Sequence, residues 1–126
     1  MNKRPLSPHL QIYRLPLTAV MSITHRITGV FLVAGMILLV VCLMAVADGI
    51  DQYGAVQSFL RSAPGRIFLW VWIYALFFHL CHGVRHLIWD TGHGFERATL
   101  DRYAYLEVVA SVALTTMVFF SMFLNW

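Results

Sequence analysis

Two short blocks hold the side chains whose types and spacing suit them to chemistry. In the first, Ser22, His25, Arg26 and Gly29 recur at i, i+3, i+4 and i+7, which puts all four on one face of a helix. Arg26 offers a fork of N–H donors to an anion or a carbonyl. Ser22 adds a hydroxyl on the same stripe, and Gly29 leaves room for a flat ring or a second backbone. The second block holds His79, His82, Gly83, Arg85 and His86. Its three histidines fall at i, i+3 and i+7, again one face. Neutral imidazole ligates porphyrin iron well. Arg85 and His86 lie further along the helix, where they could meet the carboxylates of a porphyrin.

The elements that must position these blocks are read from where charge is absent. The chain has 126 residues, of which 60% are hydrophobic and 12% charged. An ordinary soluble domain carries about 25% charged residues. The 15 charges avoid Ile27–Ala47, Ile67–Val84 and Val108–Trp126, windows of 21, 18 and 19 residues. Everywhere else the charge density is near the soluble norm. A bilayer core about 30 Å thick needs roughly 20 apolar residues of helix. Open strands would leave backbone groups unpaired in lipid, so each window reads as a helix. This composition excludes an ordinary globular domain, a disordered chain and a nucleic-acid binder. The expectation is one all-α membrane domain over residues 1–126, with three transmembrane helices at about 18–47, 65–90 and 104–125.

Local signals set the ends. Pro5, Pro8 and Pro16 keep the N-terminal arm extended, because proline lacks the donor that helix propagation needs. Thr18 is placed to cap the first helix. Asp48-Gly49 ends it, Pro64-Gly65 precedes the second, and Gly92 suits a left-handed cap after Thr91. Connectors of about 17 and 13 residues follow from these bounds. No secretory or mitochondrial targeting pattern is expected at Met1–Arg14. Lys3, Arg4, Arg14, Arg26, Arg85, Arg97 and Arg102 fall on one side of a three-helix layout, and Arg61 and Arg66 on the other. That asymmetry predicts the N-terminus inside.

The two blocks should meet. The first two helices are antiparallel, so the start of one lies beside the end of the other, toward the inner face. Ionisable residues inside a membrane cost about 2.5–3.5 kcal/mol each on insertion scales, which makes them functional candidates. Plainer readings stand beside that one. Arg26 can snorkel to the headgroups, and the polar end of the second helix can contact another subunit. One helix presents only one side of a porphyrin, so His79 and His82 cannot both be axial ligands of one haem; spacing does not choose between them. Trp89, Tyr103, Tyr105 and Trp126 read as an interfacial belt. His9 and His93 read as solvated, Cys42 and Cys81 as buried thiols, and Asp90 as a balance for Arg85 or His86 or as a group facing water.

The same residues carry a resemblance. Arg4-Pro5-Leu6-Ser7-Pro8-His9-Leu10 with Tyr13-Arg14, then Ser22-Ile23-Thr24-His25-Arg26-Ile27-Thr28-Gly29, resembles the N-terminal signature of the succinate dehydrogenase cytochrome b subunit family. His79-Leu80-Cys81-His82-Gly83-Val84-Arg85-His86-Leu87 with Asp90 resembles that family's second signature. The likeness covers length, helix number and the order of both motifs.

The resemblance implies a membrane anchor of succinate:quinone oxidoreductase, part of a larger bundle with a second anchor subunit and bound to a flavoprotein and an iron–sulfur protein. It implies haem b shared with the second anchor, with His79 as an axial ligand and His25, Arg26 and His86 toward the propionates, where the place of Arg85 on the helix adds that residue. It implies ubiquinone as substrate, met by Ser22 and Arg26, and no dicarboxylate chemistry in this chain. His82 is extra to the family pattern. A bacterial inner membrane is the expected location, ahead of a mitochondrial one. The alternatives are a cytochrome b anchor of another respiratory complex, or an anchor with no cofactor.

Overall fold

A computed structural model describes residues 14–124, with the backbone alone for Phe123. The arm through Pro5 and Pro8, with Lys3, Arg4 and His9, lies outside the described residues, as does Trp126. Four helices follow one another: α1 (Leu17–Asp48), α2 (Ile50–Arg61), α3 (Ala63–Asp90) and α4 (Arg97–Leu124). Three stretches, Leu17–Asp48, Ala63–Asp90 and Arg97–Met122, are long and apolar enough to cross a membrane. The all-α architecture with three membrane-length helices is as the charge map requires.

The differences lie in the connectors. Residues 48–64 hold a helix of their own, α2, where a plain connector was expected. It is much less apolar than its neighbours and is set off from α1 by Gly49 alone, at φ 111°. That backbone region is open to glycine and strained for other residues. α4 starts at Arg97, not near 104, because its first two turns, RATLDRY, are charged and helical at once. Composition marks the lipid boundary, not the helix boundary. Thr18 lies inside α1; the N-cap is Pro16, whose carbonyl accepts from Ala19 N at 3.0 Å. Pro64 sits within the first turn of α3, where its missing N–H costs nothing. Ser62 caps that helix by accepting from Gly65 N at 3.3 Å. Gly92, at φ 82°, ends α3 as expected.

α3 lies between α1 and α4 and touches both more extensively than they touch each other. A Cβ at Gly35 would collide with the Trp72 indole, so this glycine sets how closely α1 approaches α3. Phe31 and Phe68 meet across the same seam, with centroids 5.4 Å apart. Trp70 and Phe119 join α3 to α4 at 5.0 Å. The buried apolar set is small and made mostly of small side chains: Ala45, Ala75, Phe78 and Ala104. Beside it are four buried polar or charged residues, His82, Arg85, Glu107 and Ser111, while Val30, Ile37, Leu87 and Val109 face outward. This is the ordering expected when lipid is the solvent: apolar side chains outside cost nothing, and polar groups must find partners within.

Gly35→Val should therefore force α1 off α3. Overpacking of this kind typically costs about 1–3 kcal/mol. The expected outcome is a lower thermal midpoint of the detergent-solubilised protein, checked against Gly54→Val, where a Cβ meets nothing within 4 Å.

Candidate functional site

The two blocks do meet. The His25 ring of α1 turns onto α3 and stacks on His79, with centroids 3.9 Å apart and planes at 19°. It also stacks on His82 at 4.4 Å and lies 5.7 Å from His86. Gly29, one turn further, allows this approach: a Cβ there would meet His79 Cε1 at 3.1 Å. Four histidines thus share one contact zone between the start of α1 and the end of α3.

His79 is held in one tautomer. Its Nδ1 lies 3.2 Å from the His25 carbonyl oxygen, which can only accept. Nδ1 therefore carries the proton. Thr28 donates its own hydroxyl proton to the same carbonyl at 2.8 Å, so its oxygen is free to accept from His79 Nδ1 at 3.3 Å. Nε2 is left with its lone pair and has no hydrogen bond among the described residues. A ring N–H fixed on a backbone carbonyl is the usual support of a metal-ligating histidine.

His82 is held differently. Its Nδ1 lies 2.8 Å from Glu107 Oε1 of α4. The other oxygen of Glu107 accepts from Arg85 Nη1 at 3.3 Å, and Arg85 Nη2 donates to the Leu100 carbonyl at 3.1 Å. The guanidinium also lies over Trp89, 4.6 Å from its centroid. All three residues are buried, at 1% exposure for His82, 3% for Arg85 and 4% for Glu107. Arg85 balances the charge of Glu107, and because the carboxylate accepts, His82 donates to it from Nδ1. His82 Nε2 is buried without a hydrogen-bond partner among the described residues, as is His25 Nε2.

The remaining site residues of the first block point outward from the chain. Arg26 is exposed and pairs with no acid among the described residues. The Ser22 hydroxyl makes no hydrogen bond among them, whereas Thr24 in the same helix bonds back to Val20 O at 2.9 Å. His86 is exposed and meets His82 edge-on at 4.9 Å. Arg85 differs from the rest: its donors are committed to α4, with only Nε unpartnered. Asp90 is exposed and pairs with none of the described basic groups; Glu107 takes the role of balancing Arg85. His93 is exposed in the connector and contacts Thr91.

Thr28 and Glu107 are the participants that spacing did not single out. Glu107 stands directly before the last charge-free window and is easily taken for its border. Its signal was helical: Leu100, Ala104, Glu107 and Ser111 recur at i, i+4, i+7 and i+11, a stripe that faces α3. Ala104 and Ser111 on that stripe are fully buried.

Comparison with known proteins agrees with this architecture. Residues 1–118 match the model of the family described as succinate dehydrogenase/fumarate reductase transmembrane subunit. The chain is 42% identical over 120 residues to a succinate dehydrogenase cytochrome b556 subunit of Paracoccus denitrificans, covering 93% of this chain and 92% of the relative. It is 38% identical to the protein of that name from Rickettsia felis, over 92% of this chain and 90% of the relative. The mitochondrial cytochrome b560 subunit of Sus scrofa is 34% identical, over 92% of this chain and 72% of the relative.

Removing Glu107 leaves Arg85 charged and buried without its counter-ion. Breaking a buried pair by deleting one partner costs about 3–5 kcal/mol. Glu107→Ala is expected to lower the thermal midpoint sharply, and Glu107→Ala with Arg85→Leu to recover part of the loss. A double-mutant cycle on unfolding midpoints checks this coupling.

Proposed function

The chain belongs to the succinate dehydrogenase/fumarate reductase transmembrane subunit family, and from that premise we propose that it anchors succinate dehydrogenase in the membrane, holds haem b through His79 and meets ubiquinone through Ser22 and Arg26. The observation that carries the haem assignment is the His79 Nδ1 contact with the His25 carbonyl at 3.2 Å. It fixes the proton on Nδ1 and bares Nε2 on a half-buried ring, the state an iron ligand needs. His82 has a bare Nε2 too, but that atom is sealed inside the three-helix bundle. His79 is the ring with an open side. The donor set fits the rest of the group: His25, exposed Arg26 and exposed His86 supply polar and cationic character where propionates would lie. Arg85 adds its charge from behind, through a guanidinium already bonded to α4. A second anchor subunit would supply the rest of the haem's protein contacts.

Bound haem supplies a one-electron relay. Ubiquinone takes up two electrons and two protons to become the quinol. The electrons come from succinate oxidation by way of the flavoprotein and iron–sulfur partners. Arg26 and Ser22 donate hydrogen bonds to a quinone oxygen and favour the negative charge that develops there as electrons arrive. Neither donor has a hydrogen-bond partner among the described residues, so neither loses a bond to them on engaging substrate. Arg26 stands at the N-terminal margin of α1, which the distribution of basic residues assigns to the inner face of a bacterial inner membrane.

Two substitutions test the assignment. His79→Ala should abolish or shift the haem absorption band of the purified complex, while His82→Ala keeps it. The opposite pattern would transfer the ligand to His82. Arg26→Ala should lower quinone reductase activity by at least tenfold while dye-linked succinate oxidation survives. Unchanged quinone kinetics would remove Arg26 from the site.

A further inference from the structure

Arg61 and Arg66 have no task in the reading above, and they stand at the opposite end of the bundle from the histidines. Arg61 ends α2, Ser62 caps α3, and Arg66 follows in the first turn of α3. Both arginines are exposed. Neither side chain has a hydrogen bond, ion pair or ring contact among the described residues. We propose that this corner binds one acidic phospholipid, with its phosphate held between the Arg61 and Arg66 guanidinium groups.

The corner is rigid. The Ser62 hydroxyl donates to the Phe59 carbonyl at 2.5 Å and accepts from Gly65 N at 3.3 Å. Ser62 N donates to the same carbonyl at 3.0 Å. A Cβ at Gly65 would collide with that carbonyl, so α2 turns into α3 with no slack. Arg66 N donates to Ser62 O at 3.0 Å, which puts residues 62 and 66 one helical turn apart. The Cα atoms of Arg61 and Arg66 therefore lie within about 10 Å of each other. Two arginine side chains at that spacing reach a single phosphate, and the guanidinium fork matches its oxygens.

The corner also lies at the depth of lipid. Gly35 of α1 meets Trp72 of the antiparallel α3. Arg66 is six residues from Trp72 toward the corner, and Val41 is six residues from Gly35 in the same direction. Val41 is itself six residues inside the end of the charge-free window at Ala47, about 9 Å at 1.5 Å per residue. Around that level α1 turns Val40, Leu43 and Met44 outward. A guanidinium there needs an anion, and its side chain leans toward the start of its helix, where phosphates lie. Ile67 and Val71 are exposed one turn apart on α3, below Arg66, and offer a track for an acyl chain.

Charge selects the headgroup. The acids on this side of the bundle, Asp48 and Asp51, are at the far end of α2. Ten residues of helix separate Asp51 from Arg61, about 15 Å, which exceeds the screening length of about 8 Å at physiological salt. The corner thus carries two unbalanced positive charges. A zwitterionic headgroup brings its own cation against them, and an acidic one does not.

The test uses the intact complex in nanodiscs of phosphatidylcholine, with and without phosphatidylglycerol. Native mass spectrometry should find one phosphatidylglycerol retained per complex in excess of the Arg61→Gln, Arg66→Gln complex. Retention in that double variant should fall by about tenfold or more, as expected when two basic side chains leave a membrane surface. Arg66→Lys keeps the charge and loses the fork, so its retention should lie between the two. Phosphatidylglycerol should raise the thermal midpoint of the unmodified complex and leave that of the double variant unmoved. A phosphatidylglycerol carrying a diazirine near its headgroup should cross-link to residues 59–71 of the unmodified complex, which decides the matter if the variants fail to assemble. Equal retention in the double variant, equal retention of phosphatidylcholine, displacement by inorganic phosphate, or cross-links that miss residues 59–71 overturns the site.

Discussion

Hydrocarbon cannot solvate a carboxylate, and Glu107 sits where only the protein can do so. Its two oxygens are taken by His82 and Arg85, one each, and Arg85 extends the bonding to the Leu100 carbonyl. These contacts tie α3 to α4 in one rotational setting. Turning α3 by a single residue would aim His82 and Arg85 into lipid, at several kcal/mol of lost charge pairing. With that setting fixed, His79 must face α1, and His86 must lie at the open end of the same stripe. The polar network therefore does for this bundle what apolar burial does for a soluble one: it selects a single packing.

Lipid also explains why the helices approach so closely where they carry no polar contact. Apolar side chains gain little by meeting each other when the solvent is itself apolar. Close packing then depends on small residues and shape. Gly35 admits the Trp72 indole, Gly29 admits His79, and Ala104 is fully buried. Gly29 belongs to both halves of this account. It shortens the distance between α1 and α3 and, by doing so, brings the His25 carbonyl within reach of His79 Nδ1.

The large features were legible because they follow from single residues of unusual type. Charge-free windows gave the three long helices, and the i, i+3, i+4, i+7 spacing put Ser22, His25, Arg26 and Gly29 on one stripe. What stayed hidden depends on tertiary contact. α2 is too polar to stand out beside α1 and α3, yet it forms in the space their ends leave. α4 runs two turns beyond its apolar window because charged residues propagate a helix as well as apolar ones do. Thr28 matters only because His79 arrives beside it from another helix. Glu107 matters only because α4 packs with that face toward His82. The same contact explains why the hydrogen bonds of Arg85, whose sequence position pointed to propionates, run to α4.

The inward and outward polar groups divide by partner, and that division states what the chain needs from its surroundings. Glu107, His82 Nδ1 and the two terminal nitrogens of Arg85 find their partners between α3 and α4. Arg26 and Ser22 are not satisfied by any described residue, although both lie near the first charge-free window. Donors of this kind near a charge-free window are candidates for a group from outside the chain. An arginine that merely snorkelled would need no serine on its own stripe and no histidine one residue away turned toward a second helix. The bundle is therefore a finished scaffold with an unfinished face, and in a membrane subunit of the succinate dehydrogenase/fumarate reductase family that face is the one we propose for cofactor, substrate and partner subunits.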